Sequence, residues 1–593
     1  MKKRVADIIM DTLVKNGITD AFCVVGGGAM FLDNAAGINP DMHIVFNNHE
    51  QACAMACEGY ARTKDKMALC LVTSGPGGTN TLTGVMGAYQ DSIPMIVISG
   101  QVRYATTVEQ SGLNLRRRGE QEFDIVNSVQ NMTKYAKMII EPKSIKQEVQ
   151  KAIDIALNGR RGPVWLDIPL DVQSAMVEED ELLPILEKPQ IVKCKDDDFN
   201  ELVSLIKNAK SPCILAGSAI SSTHSQNKLK KMLENWQIPT VSAAVACDVL
   251  YYEHPLYYGS TGGVGTRAGN FVMQNSDLLI VLGCSLGFKQ TTFSQKNFAP
   301  NAKIVMIDVN PDEAKKDGLN IDKFIHCDIL DIFNKVEKVQ KISAPNNWLE
   351  HCKMLKNRFN LYENATGEAN ERVNAYNFWK EYALQEAPDS LTVMGNSSCV
   401  SARLSFENIK ENQLTFTNIN CGSMGYDIPA AIGAAVASKK ETVLVTGDGS
   451  FMMNLQELQT IVHNNLPIKI VLFSNDGYRG ITQTCKNYFN GKNVGCTPES
   501  GLSMPDFSKI AHAFDIPFKV CKNNSELKEG ISWLLDNKSY CMLELKQVYD
   551  NPPAPIVKAK LNPDGTSQEL RLDDMYPFLD KEIYEQCQFK GVI

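Results

Sequence analysis

The sequence predicts an α/β protein of three doubly wound parallel-sheet domains followed by a C-terminal tail. Three observations carry this. The chain has 593 residues, too many for one hydrophobic core. Short continuous apolar runs ending in Gly, Asp or Asn recur along it, as strands buried on both faces of a parallel sheet require. A stretch with helical spacing follows each run, which is the alternation of βαβ units.

The elements follow in order. "MKKRVADIIMDTLVKNG" begins with basic residues like a leader, but Asp7, Asp11 and Lys15 break any apolar core and the apolar positions keep helical spacing. "MALCLVTSG" and "PMIVISGQV" are strands of a first domain, residues 1–185. The polar stretch "LEKPQIVKCKDDDFN" at 186–200 is a linker. "PCILAGSAI", "DLLIVLGCS" and "AKIVMIDVN" build a central domain, 195–345, and "KISAPNNW" marks its end. "LTVMGN", "TVLVTGDGS" and "KIVLFSNDG" build a third, 365–555. A tail, 556–593, follows a Pro-rich stretch.

Composition excludes several function classes. Net charge is −8 and no basic run exceeds Arg116-Arg117-Arg118, against a nucleic-acid partner. No run of 18 apolar residues offers a membrane span. The 17 cysteines include no Cys-x-x-Cys pair, so buried free thiols in a reducing cytoplasm are expected.

The chemistry concentrates in "VTGDGSFMMNLQELQTIVHNNLPIKIVLFSNDGYRG". In Gly447-Asp448-Gly449-Ser450 the glycines let backbone approach an anion, and a helix starting near Ser450 would aim free N–H groups at it. Asp448 adds a carboxylate to that place, so a cation is needed, and Mg²⁺ takes such hard oxygen ligands. Asn475 lies 27 residues on, past one amphipathic helix and one strand, in the turn Asn475-Asp476-Gly477-Tyr478. Either turn alone is commonplace. The pair at this spacing is not.

Gly-Asp-Gly followed by Asn at this distance resembles the signature of thiamin-diphosphate enzymes, and the flanks look like the acetolactate synthase and pyruvate decarboxylase group. The resemblance covers nearly the whole chain. It implies pyrimidine-binding, central and diphosphate-binding domains in that order. It implies Mg²⁺ held by Asp448, Asn475 and the Gly477 carbonyl. It also implies a second diphosphate loop at Gly395-Asn396-Ser397-Ser398 and an active site shared across a homodimer or homotetramer. Thiamin diphosphate works through its C2 carbanion, which forms when a carboxyl in a dry pocket drives the aminopyrimidine to its imino form. "NNHEQACAMACEGYAR" resembles the family's activating stretch and points to Glu50. By the same resemblance Asn80 lies near the pyrimidine, Gly27 near the reacting carbon, Gln121 near the substrate, and Met424 between the cofactor's rings, with Tyr478 among the cofactor-binding residues.

In acetolactate synthases the matching central region holds FAD, so Arg267, Gly283 and Asp308 could serve a nucleotide. The sequence departs from those enzymes where the second 2-oxo acid would bind. Lys289 stands for an arginine, Thr484 and Cys485 for a Gln-Trp pair, and Glu120 for a phenylalanine. Lysine keeps charge but loses the carboxylate fork. The expectation is a carboligase that decarboxylates a 2-oxo acid, pyruvate first, and passes two carbons to a carbonyl acceptor. Those changes suit an acceptor richer in hydroxyls or phosphate, and in this the sequence resembles a branch of the family that passes the two-carbon unit to keto-sugar nucleotides. Acetolactate synthesis, or simple decarboxylation or oxidation, are the alternatives.

Overall fold

In the computed structural model the described residues are 2–293, 295–359, 368–396, 398–406, 408–551, 554–558, 560–561, 567–568 and 570–592. They form three six-stranded sheets, every strand parallel to its neighbours. In the first, the spatial order is His43–Phe46, Asp20–Cys23, Leu69–Val72, Ile96–Gln101, Val164–Pro169, Tyr135–Met138. In the third it is Leu414–Phe416, Leu391–Met394, Thr442–Gly447, Ile468–Ser474, Cys541–Lys546, Phe518–Cys521. Numbered within each domain, both read 2-1-3-4-6-5. The central sheet runs Tyr257–Thr261, Thr240–Ala243, Pro212–Ala216, Leu278–Leu282, Lys303–Asp308, Lys323–His326, or 3-2-1-4-5-6. That is the dinucleotide-fold order, whose ligands sit beyond the carboxyl ends of strands where the order reverses.

The central strands are the apolar runs of the sequence. Leu69–Val72, Leu278–Leu282 and Ile468–Ser474 are buried at every position. Outer strands such as His43–Phe46 and Phe518–Cys521 are half-exposed and carry no such run. Every described cysteine side chain is a free thiol. No helix among the described residues is long and apolar enough to cross a membrane.

The first and third domains meet through the helices Glu50–Thr63 and Asp427–Ser438. Small residues set the approach. A Cβ on Gly59 would strike the Ala430 carbonyl, and one on Gly433 the Ala56 carbonyl. Beside this crossing, half-buried Arg62 pairs with buried Glu58 at 2.6 Å and with Asp91, and the Tyr426 hydroxyl donates to Glu58. The tail returns to the central domain, where Asn275 accepts the Phe589 N–H at 2.9 Å.

Candidate active site

Asp448 follows the strand Thr442–Gly447 and is 3% exposed. Its Oδ1 accepts the Gly449 N–H at 2.8 Å. Its Oδ2 accepts the N–H groups of Asn475 and Asp476, both at 2.9 Å, from the end of the adjacent strand. Burial pushes the carboxyl up to about 6 against the pull of those N–H groups. The Gly449 N–H, one of the N–H groups at this helix start, is therefore taken by Asp448 rather than aimed at an anion. Ser450 instead accepts the Gly425 N–H at 2.9 Å and ties down the Met424 loop.

Asn475 is also buried. Its amide nitrogen donates to Gln547 Oε1 at 2.9 Å, and its Oδ1 has no donor. An orphaned buried acceptor costs about 1–3 kcal/mol. A hard cation beside Asp448 would satisfy it. Gly477 closes the turn at φ +151°, where a Cβ would strike the Cys496 carbonyl. A Cβ on Gly449 would meet the Tyr478 ring and lie 3.1 Å from the Met424 methyl, so these three residues converge on one point.

The single amphipathic helix expected between the two motifs is three pieces: Asp448–Phe451, Met452–Glu457 and Leu458–His463. The break is at Asn454, whose side chain donates to the Gly425 carbonyl at 2.7 Å and to Gln51 at 3.0 Å. A side chain bridging to another loop overrides helical periodicity.

A cavity of about 630 Å³ opens here. Asn396, Met424, Gly447, Asp448, Gly449 and Ser450 line it, as do Asn475, Gly477 and Tyr478. Gly395 does not; it packs against Asp427. Ser397 lies outside the described residues, and Ser398 opens the helix Ser398–Ser405.

The first-domain residues form a second cluster. Glu50 begins its helix, and the ring Nδ1 of the preceding His49 accepts the Gln51 N–H at 3.0 Å. Glu457 fixes the approach by accepting from the Asn47 side chain and the Asn48 N–H, both at 2.9 Å. The Asn80 amide donates to Glu50 Oε2 at 2.9 Å. Gln121, at φ +59°, sets its carbonyl against Gly75 at the start of the helix bearing Asn80. Gly27 faces open space, in a loop whose Gly26 N–H binds Asp33 and whose Gly28 N–H binds Thr73, both at 3.0 Å. None of these residues lines the Asp448 cavity of the same chain.

The expected acceptor residues are not brought together. Glu120 is exposed on the first domain. Lys289 lines a different cavity, of about 650 Å³, between the central and third domains, and donates to the Ile419 carbonyl. Burial lowers its pKa. Thr484 is exposed and Cys485 turns into the protein. Both are corrected by helix geometry: on Arg479–Tyr488 the cavity is lined by Arg479, Gly480, Ile481, Thr482, Gln483 and Lys486, and not by Thr484 or Cys485. Tyr549 joins this wall. Sequence reading missed these residues, although the helical period counted from Gly477 could have found the helix face.

Gly283 and Asp308 line a polar recess of about 70 Å³ at the switch point of the central sheet. Ser218, Ser285 and Asn420 line both this recess and the 650 Å³ cavity, so the two share walls. Arg267 is elsewhere, donating to the Met575 carbonyl at 3.1 Å and to that of Pro577. It belongs to the packing of the tail, which corrects its place beside a nucleotide.

The models of the thiamine pyrophosphate enzyme match the chain in order: the N-terminal TPP binding domain at 3–128, the central domain at 199–335 and the C-terminal TPP binding domain at 394–545. A probable acetolactate synthase large subunit of Methanococcus aeolicus is 30% identical, over 85% of this chain and 86% of that one. The chain belongs to the thiamine pyrophosphate enzymes, in the acetolactate synthase group. Acetolactate synthase isozyme 2 large subunit of Escherichia coli (strain K12) is 28% identical over 91% of this chain and 95% of its own. The chloroplastic acetolactate synthase of Arabidopsis thaliana is 28% identical over 91% and 81%. The cavity at Asp448 lies within the matched C-terminal TPP binding domain.

Proposed function

We propose that this thiamin-diphosphate enzyme decarboxylates pyruvate and transfers the two-carbon unit to a carbonyl acceptor other than a simple 2-oxo acid, a keto-sugar nucleotide being the acceptor class that fits. When bound, the cofactor supplies the electron sink for decarboxylation. The chain's own groups do the rest. Asp448, the orphaned Asn475 Oδ1 and the Gly477 turn would hold Mg²⁺ against the diphosphate. Met424, over Gly449, would wedge the rings, and Glu50, fixed by Asn80, would exchange its carboxyl proton with the aminopyrimidine nitrogen.

The observation that carries the assembly is the separation of these halves. Glu50 does not line the Asp448 cavity of its own chain, so a complete site needs a second copy. Exposed apolar side chains on both halves support a homodimeric or homotetrameric interface: Val25, Met30 and Phe46 in the first domain, Met452 and Met453 in the third. The recess and cavity of the central domain share walls, and Gly283 and Asp308 would hold FAD there without Arg267. A cytoplasmic location suits the free thiols.

The acceptor reading rests on Arg479, Gln483 and Lys486, which put charged and polar side chains on a wall they share with Ile481. Incubation with pyruvate, thiamin diphosphate and Mg²⁺ and a panel of acceptors, with products identified by mass, tests it. A product two carbons larger than a keto-sugar nucleotide is expected. Efficient acetolactate formation with every keto-sugar ignored would refute it.

A further inference from the structure

We propose that Arg479 and Lys486 form an anion subsite in this cavity, separate from the cofactor's, that grips the diphosphate of a nucleoside-diphosphate-linked acceptor. The proposal rests on the carboligase reading above and deepens it.

Arg479 begins the helix that leaves the Gly477 turn. Its Nε donates to the Asn475 carbonyl at 2.7 Å. Its guanidinium lies 4.3 Å over the ring of Tyr549. That ring is itself fixed: Arg372 donates to the Tyr549 oxygen at 2.6 Å and lies 4.4 Å over the ring, and the hydroxyl reaches Asp476 Oδ2 at 3.2 Å. Arg479 is therefore held by one edge and one face. Its two terminal amines make no hydrogen bond or close ion pair among the described residues, its charge is felt at Glu499, and the residue lines the cavity. A pre-oriented, unpaired fork is the geometry that takes two oxygens of a phosphate.

Lys486 lines the same cavity. Its only ion pair among the described residues, with Asp550 at 3.4 Å, joins two side chains that are both more than half exposed. Such a pair contributes little and can be exchanged for a ligand. Seven residues of helix place the Arg479 and Lys486 backbones about 10 Å apart. Two long side chains rising from that span can together hold the two phosphoryl groups of a diphosphate.

The test uses holoenzyme loaded with thiamin diphosphate and Mg²⁺, with UDP as the probe, in wild type, Arg479→Gln, Arg479→Lys and the Arg479→Gln/Lys486→Gln double variant. Calorimetric titration is expected to show UDP binding that weakens at least tenfold in the double variant and is only partly restored by lysine at 479. Absence of UDP binding to wild type overturns the subsite. So does a parallel loss of thiamin diphosphate affinity in the variants, or inorganic pyrophosphate displacing the cofactor while UDP does not bind, since either assigns the fork to the cofactor. In kinetics, the ratio of kcat/KM for a UDP-linked keto-sugar over that for a neutral aldehyde is expected to fall at least tenfold in Arg479→Gln; an unchanged ratio overturns the subsite. Arg479-dependent UDP binding without ligation of any acceptor would leave the subsite standing and defeat the carboligase reading instead.

Discussion

Asn475 donates its backbone N–H to Asp448 Oδ2 at 2.9 Å, while its own side-chain oxygen is buried with no donor. One group completes the turn and the other is left for something outside the chain. Replacing Asn475 by Ala removes the orphan along with the hydrogen bond to Gln547, two changes of opposite sign and about 1–3 kcal/mol each. The melting temperature is expected to move little. Cofactor affinity, measured by quenching of intrinsic fluorescence on adding thiamin diphosphate with Mg²⁺, is expected to fall at least tenfold, about 1.4 kcal/mol. Equal loss of stability and no loss of affinity would show that Asn475 serves the fold alone.

Asp167 gives a pH signature. It is fully buried, accepts from Ser99 at 2.6 Å and Gln101 at 3.0 Å, and burial pushes its carboxyl up to about 7. Gln101 in turn holds the Phe123 carbonyl, close along the chain to Gln121. Between the ordinary carboxylate value and 7 the folded chain binds a proton that the unfolded chain has released. Unfolding free energy therefore falls as pH rises through that window. The contribution is fully present below about pH 4 and lost above about 7, on the order of 4 kcal/mol in all. Asp167→Asn is expected to flatten the stability curve over this range in urea titrations. An unchanged slope would count against the buried protonated carboxyl.

Gly433 tests the crossing that joins the two cofactor-binding domains. A methyl there must displace the Ala56 carbonyl. Gly433→Ala is expected to destabilise by about 1–3 kcal/mol or more, read as a lower urea midpoint. Gly27→Ala, which meets nothing within 4 Å, is the control for stability, though not for activity.

The fold was largely legible because the central strands of each sheet are buried on both faces and so carry unbroken apolar runs. Outer strands such as His43–Phe46 and Phe518–Cys521 are half-exposed and leave no such trace. Asp448, Asn475, Gly477 and Met424 were legible as a cluster because two loops at adjacent strand ends must meet. Thr484, Cys485 and Arg267 were misplaced for a different reason. Their surroundings depend on helix phase and on where the tail docks, and neither is written in local spacing. Asn454 shows the same limit, since its bridge to Gly425 breaks a helix that periodicity alone would continue.

The central claim is that Glu50, set by Asn80 at 2.9 Å, activates a cofactor clamped at Asp448 and Asn475. The most direct measurement is the rate of CO₂ release from pyruvate by holoenzyme saturated with thiamin diphosphate and Mg²⁺, in wild type and in Glu50→Gln. Glutamine keeps the size and the Asn80 contact but cannot exchange a carboxyl proton. The account predicts steady release by wild type and a loss of at least a hundredfold in the variant, with the cofactor still bound. Release by Glu50→Gln at the wild-type rate would contradict it.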